Sequence, residues 1–394
     1  MKRIIGMSLT IIVLFLLTGC AHYPSISWSP DSKKVAYTTF RQGESLALWT
    51  ANADGSDNRP LMVSKNNIIL WPVWSPDGEK IVFKLGKSDN FNLWVMNADG
   101  SSKRQLTTDG KCDDSAPSWS PDGERIAYSS GKDIWLLHLA IKSKFKLTEK
   151  GKNSRPAYSP DGKRIAYTST IDVEAEEDEN EEGENIWVMD EYGSNKIQLT
   201  TDESEDWYFL VWSPDGEKIA YCTTEDDIWV VNADGSNKVK LADDTAFPTW
   251  SPDGKRIAFG TDTGLENINS DGTDRRLLVK EMGLIIFPAW SPDGEKIAYI
   301  VGLGKEKEKY YLAYIVDADG SNKIALAIGP EKTFVKGEIY HQKGKYRRAI
   351  RKYKKAIFKR RFFGLFKTSQ PTEIADVAIS RVKGCHRKLE ERKE

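Results

Sequence analysis

The chain has 394 residues, with 57 Lys and Arg against 58 Asp and Glu, a net charge of −1. Its four cysteines have no metal-ligand spacing, and of its four histidines only His22 and His138 fall among the repeats described below, which excludes a three-histidine metal centre. The near-neutral total hides an uneven distribution: residues 331–394 hold 20 Lys or Arg against 7 Asp or Glu, a net of +13, and residues 4–330 carry −16.

At the N-terminus, Lys2 and Arg3 precede an apolar run from Ile4 to Leu17, followed by Leu17-Thr18-Gly19-Cys20. That order of a basic start, a short apolar core and a small-residue exit is the pattern of a secretory signal, and here it resembles a bacterial lipoprotein signal. Cleavage would leave Cys20 as a lipid-bearing N-terminus. The run is short of the roughly 20 apolar residues that a membrane-spanning helix needs. The expected arrangement is a signal over 1–20 and a mature chain anchored in the cell envelope through lipidated Cys20, periplasmic or surface-exposed, with the outer membrane favoured. An anchored protein outside the cytoplasm does not meet nucleic acid, so none is expected as a partner. No structural disulfide is expected, because an odd number of cysteines remains once Cys20 is acylated.

From residue 28 onward an aromatic-Ser-Pro-Asp tetrad recurs seven times, starting at Trp28, Trp74, Trp119, Tyr158, Trp212, Trp250 and Trp290. The intervals are 46, 45, 39, 54, 38 and 40 residues, close to the roughly 40 to 45 of a four-stranded propeller blade. Each tetrad is followed by an alternating apolar strand such as Lys80-Ile81-Val82-Phe83, then by a third strand such as Asp227-Ile228-Trp229-Val230. Hairpin turns follow at Asp54-Gly55, Asp99-Gly100, Asp234-Gly235, Asp271-Gly272 and Asp319-Gly320, a strong short-range hairpin signal. Blade 3 lacks this glycine turn between His138 and Ser143, and blade 4 substitutes Tyr192-Gly193. The fold class expected is mainly β: a seven-bladed β-propeller over 21–329, with a basic helical module over 330–394.

The tetrad with its glycine, as in Trp74-Ser75-Pro76-Asp77-Gly78, together with Leu93-Trp94-Val95-Met96-Asn97-Ala98-Asp99-Gly100-Ser101, resembles the TolB-type, WD40-like propeller family. The likeness covers roughly residues 22 to 328. It implies a propeller fold and partner binding near the outer membrane. The family's namesake carries an α/β domain before a six-bladed propeller, whereas this chain has a lipoprotein signal and a seventh blade.

Strand alternation puts the tetrad turns and the Asp-Gly turns on one face and the blade-to-blade and strand 2–3 loops on the other. The expected blade-to-blade loops include Asn66 to Trp71, Glu205 to Phe209 and Leu284 to Phe287. Three positions before each tetrad aromatic stand Ser25, Trp71, Ala116, Arg155, Phe209, Phe247 and Phe287, expected to ring the mouth of the central channel. Proline follows in five blades, at Pro72, Pro117, Pro156, Pro248 and Pro288, as suits an innermost edge strand. The candidate partner-binding residues are Trp71, Arg155, Phe209, Phe247 and Phe287, with a peptide, a protein loop or a glycan as ligand. The competing reading is that these rings pack between blades.

Blade 4 holds an insertion with Asp172, Glu174, Glu176, Glu177, Asp178, Glu179, Glu181, Glu182 and Glu184 but no ordered calcium-loop pattern, and an acidic loop is the reading preferred over a calcium site. In the C-terminal module, Gly337, Tyr340, Gly344, Tyr346, Ala349, Tyr353 and Ala356 stand at the spacings of one tetratricopeptide-like repeat. A third helix is expected after Pro371. Three readings of the basic segment compete: a solvated charged face, docking on the acidic propeller or a protein partner, and contact with a membrane surface, for which Lys359, Arg360 and Arg361 beside Phe362, Phe363 and Phe366 speak.

Catalysis finds no motif. Peptidases with a related propeller carry a Gly-x-Ser-x-Gly elbow that this sequence lacks, and similar oligogalacturonate lyases use clustered histidines. The expectation is therefore a non-enzymatic envelope lipoprotein that binds protein partners and needs no cofactor or metal. The alternative is a carbohydrate-binding or carbohydrate-processing propeller.

Overall fold

The computed structural model of the protein describes residues 24–39, 47–64, 67–87, 90–113, 115–170, 184–201, 209–223, 225–281, 283–303 and 310–326, with Arg348, Ile350 and Arg351. Cys20, the blade 4 insertion up to residue 183, and the C-terminal module from residue 330, including 359–366 but not Arg348, Ile350 and Arg351, lie outside them.

Seven four-stranded antiparallel sheets follow one another along the chain. Blade 1 is Ile26–Trp28, Lys34–Thr39, Ala47–Asn52 and Arg59–Val63; blade 2 is Ile68–Trp74, Lys80–Lys87, Asn90–Asn97 and Arg104–Gln105. Blade 3 is Ser118–Trp119, Arg125–Ser130, Asp133–His138 and Ser143–Lys146; blade 4 is Asn153–Tyr158, Arg164–Ser169, Asn185–Asp190 and Ile197–Gln198. Blade 5 is Phe209–Trp212, Lys218–Cys222, Ile228–Asn232 and Val239–Ala242; blade 6 is Ala246–Trp250, Arg256–Gly260, Gly264–Asn269 and Arg276–Lys280. Blade 7 is Leu284–Trp290, Lys296–Leu303, Tyr310–Asp317 and Ile324–Leu326. Two of the segments expected as loops are in part strand: Ile68 to Trp71 and Leu284 to Phe287 already belong to the innermost strands of blades 2 and 7, because their apolar side chains pack into the ring.

The tetrad builds the same turn in every blade. In blade 2 the Ser75 hydroxyl donates to the Asp77 carboxylate at 2.5 Å, and the backbone N–H groups of Lys80 and Glu79 donate to Ser75 Oγ and Asp77 Oδ1. The pair recurs from Ser29–Asp31 to Ser291–Asp293. Four of the six tetrad tryptophans then staple their blade to the one before it. Indole N–H groups of Trp28, Trp119, Trp212 and Trp250 donate to the carbonyls of Ala289, Val73, Ala157 and Val211, the residues just before the preceding tetrad aromatics.

Nine residues after each tetrad aromatic stands a second column, Tyr37, Phe83, Tyr128, Tyr167, Tyr221, Phe259 and Tyr299, among the largest fully buried side chains of the protein. In five blades a third-strand tryptophan lies opposite this ring, and in blade 7 Tyr314 does. Blade 6 places Glu266 there instead, opposite Phe259. The buried charge is answered by Arg275, whose Nε lies 2.7 Å from Glu266 Oε2, and by hydroxyls of Thr261 and Thr263, as an almost fully buried carboxylate requires.

Among the described residues no blade borrows a strand from the other end of the chain, and side chains and turns join blades 1 and 7. A core cluster joins Ile26, Trp28, Val35 and Tyr37 to Ile286, Phe287, Ala298 and Ile315. Ser32 occupies the turn position that the other six tetrads give to glycine, at φ 60°. Its hydroxyl accepts the Asp293 N–H across the closure at 3.0 Å, a contact glycine does not offer.

Candidate functional site at the channel mouth

Backbone bonds verify the two faces. Ala53, Ala98, Glu191, Ala233, Ser270 and Ala318 in the second turns donate to Lys33, Glu79, Lys163, Glu217, Lys255 and Glu295 in the tetrad turns, so these turns share a face. On the opposite, open face, strand 2–3 loops meet blade-to-blade loops, as in Gly131 to Lys111 and Thr245 to Asp226. The chain enters each blade from the open face along its innermost strand.

The residues three positions before the tetrad aromatics sit in an unusual backbone. Trp71, Arg155, Phe247 and Phe287 have φ of 51°, 54°, 58° and 49°. Each lies where the innermost strand slips register against its neighbour, between Leu70 and Val73, Ser154 and Ala157, Ala246 and Thr249, and Ile286 and Ala289. All four precede proline. A left-handed non-glycine residue costs on the order of 1–3 kcal/mol and such strain gathers at functional sites, so four at one position of the repeat is a structured feature of the channel.

The bulge turns three of the rings inward, and Phe209, in regular register with Cys222, meets them. Phe247 and Phe287 have ring centroids 4.4 Å apart, and Trp71 stands edge-on to Phe287 at 4.9 Å. Phe209 reaches both Phe247, at 5.7 Å, and Phe287, at 5.6 Å. Blades 5 and 7 are not neighbours, nor are blades 7 and 2, so these contacts converge over the axis. Four of the five candidate residues therefore form one aromatic stopper, about 10 Å above the tetrad aromatics by strand rise. Blade 1 gives Ser25 at this position, and its Oγ accepts the Trp71 N–H at 3.1 Å.

The fifth, Arg155, faces a polar arc. Its Nη1 lies 2.6 Å from Glu184 Oε2 and 3.3 Å from Ser154 Oγ, which is hydrogen-bonded to Thr168. In blade 2 the fully buried Lys84 donates to the Asp113 carbonyl at 2.7 Å and to its carboxylate at 3.2 Å. Asp113 also accepts from Ser115 and Ser129. Burial pushes the Asp113 carboxyl up, but Lys84 and these donors outweigh it and hold it below the usual carboxylate range.

This division follows a column of the second strands that the sequence reading passed over. Thr38, Lys84, Ser129 and Thr168 stand ten residues after the tetrad aromatics of blades 1 to 4, and Cys222, Gly260 and Ile300 in blades 5 to 7. The signal was available as a change from polar to apolar at a fixed offset. The mouth is thus two-sided, hydroxyls and two ion pairs facing an aromatic cluster, which suits a ligand with both apolar and charged groups.

Among the described residues the one histidine, His138, lies away from the mouth. His138 pairs with Arg125 at the turn-face end of blade 3, and among the described residues no group of three or more His, Cys, Asp or Glu is positioned to hold a metal ion. Cys112 and Cys222 are buried free thiols, both pushed up by burial.

Residues 15–133 match the family model for the TolB beta propeller domain. A 72-residue stretch is 33% identical to an uncharacterized peptidase of Bacillus subtilis, covering 16% of this chain and 10% of that protein; the match spans about a tenth of that relative. Among solved structures, an oligogalacturonate lyase from Vibrio parahaemolyticus superimposes with a TM-score of 0.56 at 13% identity, covering 73% of this chain and 88% of that one. A putative TolB from Agrobacterium tumefaciens gives 0.47 at 22% identity, covering 57% and 84%. Similarity to the lyase at this identity is similarity of fold. Residues 15–133 are thus similar to the TolB-type propeller domain, and the described residues form a ring of seven blades.

Proposed function

We propose that this is a non-enzymatic lipoprotein of the cell envelope, anchored through Cys20, whose propeller binds a protein partner at the channel mouth. The observation that carries the reading is the set of four strained, pre-proline residues at one repeat position, three of which close an aromatic cluster beside two ion pairs. Strain of this kind serves pre-organisation, and aromatic residues with arginine are the side chains that anchor protein interfaces. The TolB-type match over residues 15–133 supports a scaffold role in the envelope. A glycan is not favoured, because Trp71 and the phenylalanines meet edge-on or tilted and spend their faces on one another. The basic C-terminal module, with Lys359 to Arg361 and Phe362, Phe363 and Phe366, supplies a second contact surface for membrane or partner.

A photoreactive phenylalanine analogue placed at Phe209 in cells tests the mouth, with Phe145, exposed on the outer strand of blade 3, as the comparison site. An envelope protein crosslinked from Phe209 and not from Phe145 is the expected result. Capture from the rim alone would refute the mouth as the binding site.

A further inference from the structure

We infer that the open face of the propeller, with its aromatic stopper, is turned toward the bilayer, and that the tetrad and Asp-Gly turns point away from it. The inference rests on the acylation of Cys20 proposed above and adds to it an orientation set by strand polarity and tether length.

The first described strand, Ile26–Trp28, is the innermost of blade 1 and runs from the open face to the tetrad turn. Ser25, just before it, is buried and bonded to Trp71 of the stopper. The chain therefore reaches blade 1 beside the axis, from the open side. Five residue steps separate Ser25 from Cys20, a reach of at most about 18 Å when fully extended. Passing from the axis around the rim requires crossing four strands spaced about 4.8 Å apart and then the roughly 20 Å height of a six-residue strand. The tether is too short for that path. The stopper stands in the direct route through the channel. Acyl chains on Cys20 can enter a membrane only on the open side, and much of the tether is used in leaving the mouth, so that face lies close against the headgroups.

The other end of the propeller agrees. The last described strand, Ile324–Leu326, follows the Asp319-Gly320 turn and so runs toward the open face. Leu326 thus ends on the open side, and the sequence beyond it, residues 331–394, carries a net charge of +13. A segment of that charge, continuous in sequence with a propeller region of −16, is attracted to anionic headgroups. Any partner held at the mouth is then reached from the membrane side, and soluble proteins meet the turn face and the outer strands.

The test uses the full-length acylated protein in vesicles of phosphatidylethanolamine and phosphatidylglycerol containing a headgroup-nitroxide lipid. With Cys385→Ser removing the remaining thiol outside the buried pair, a fluorophore is attached at Glu225→Cys or Asp262→Cys on the open face, or at Glu79→Cys or Glu295→Cys on the turn face. All four native side chains are exposed. Quenching roughly threefold or more stronger at the open-face sites is expected, since about 20 Å of sheet separates the faces. Equal quenching at the two faces, or stronger quenching on the turn face, would overturn the orientation while leaving the anchor intact. Failure of the anchor reads differently: an intact mass without acyl groups on Cys20, or a Cys20→Ala variant still in the membrane fraction, removes the lipoprotein reading and the tether argument with it.

Discussion

Asp226 and the tetrad aspartates show how one residue type is pushed in opposite directions by where the fold puts it. The seven tetrad carboxyls lie below their ordinary value: serine donors dominate at Asp31, Asp77, Asp161, Asp215 and Asp253, and at Asp122 and Asp293 burial opposes the same donors and loses. Their contribution is present above the unfolded value near pH 4 and is lost as pH falls through the folded values. Asp226 behaves oppositely. Burial, then Asp244 and Asp227, raise it to about 6. A carboxyl raised on folding binds its proton more tightly in the native state, so stability falls as pH rises from about 4 through 6. Asp226→Asn, which keeps a residue that tolerates φ 61°, should be more stable than the parent at pH 7.5 by on the order of 1 kcal/mol after allowance for solvent screening. The gain should vanish below about pH 4. Urea midpoints across pH 3.5 to 8 would measure it, and a gain independent of pH would show that charge is not the cause.

At the level of turns and strands, the Asp-Gly hairpins do more than reverse the chain. The glycine of one blade seats on the outer strand of the blade before it: a Cβ on Gly100 would stand 3.2 Å from the Leu61 carbonyl oxygen, and one on Gly320 only 2.3 Å from that of Leu278. Gly272 has the same left-handed φ but meets only a Leu241 methyl at 3.5 Å. Gly272→Ala should therefore cost about 1 kcal/mol, the backbone strain alone, and Gly320→Ala about 2–4 kcal/mol once the clash with backbone is added. Equal losses in thermal unfolding would mean that the hairpins do not dock.

These hairpins and the tetrads were legible in the sequence because turn chemistry is local: Ser-Pro-Asp-Gly and Asp-Gly specify their own backbone. Of the two exceptions, Tyr192-Gly193 keeps its glycine at φ 89° and the same turn bonds as the Asp-Gly hairpins, where a difference in detail was expected, and blade 3 makes its turn with Lys142 at 54°. The stopper was not legible. A residue before proline is biased toward extended backbone, so Trp71, Arg155, Phe247 and Phe287 read as strand residues ringing an open mouth. Only the bulge, set by packing between blades, swings the aromatics inward and sends Arg155 to Glu184. The Glu266–Arg275 replacement of an aromatic pair in blade 6 was likewise hidden, because its partners lie on different strands.

The ring as a whole is assembled from blades that are each continuous in sequence, and this separates its closure from its connectivity. Because among the described residues no strand crosses between blades 1 and 7, the closure resembles every other blade contact, with Trp28, Ser32 and Gly55 of blade 1 seated on Ala289, Asp293 and Ile324 of blade 7. The natural break should then be movable. At three of the six junctions, connections of three or four residues carry the chain from an outer strand to the next innermost one, as from Val63 to Ile68 and from Lys280 to Leu284. A propeller with Leu326 joined to Ser25 by about six residues and new ends at 282–283, between blades 6 and 7, keeps all seven sheets whole and should fold, as loop tips with few contacts tolerate new termini. Its melting temperature should lie within about 5 °C of that of residues 24–326, because a short added loop costs little closure entropy. Opening the same joined ring at Asp99–Gly100 splits the hairpin of blade 2 and frees the glycine that docks on Leu61, so that permutant should melt well below the first. The reverse ranking would show that the blade is not the unit from which this ring is built.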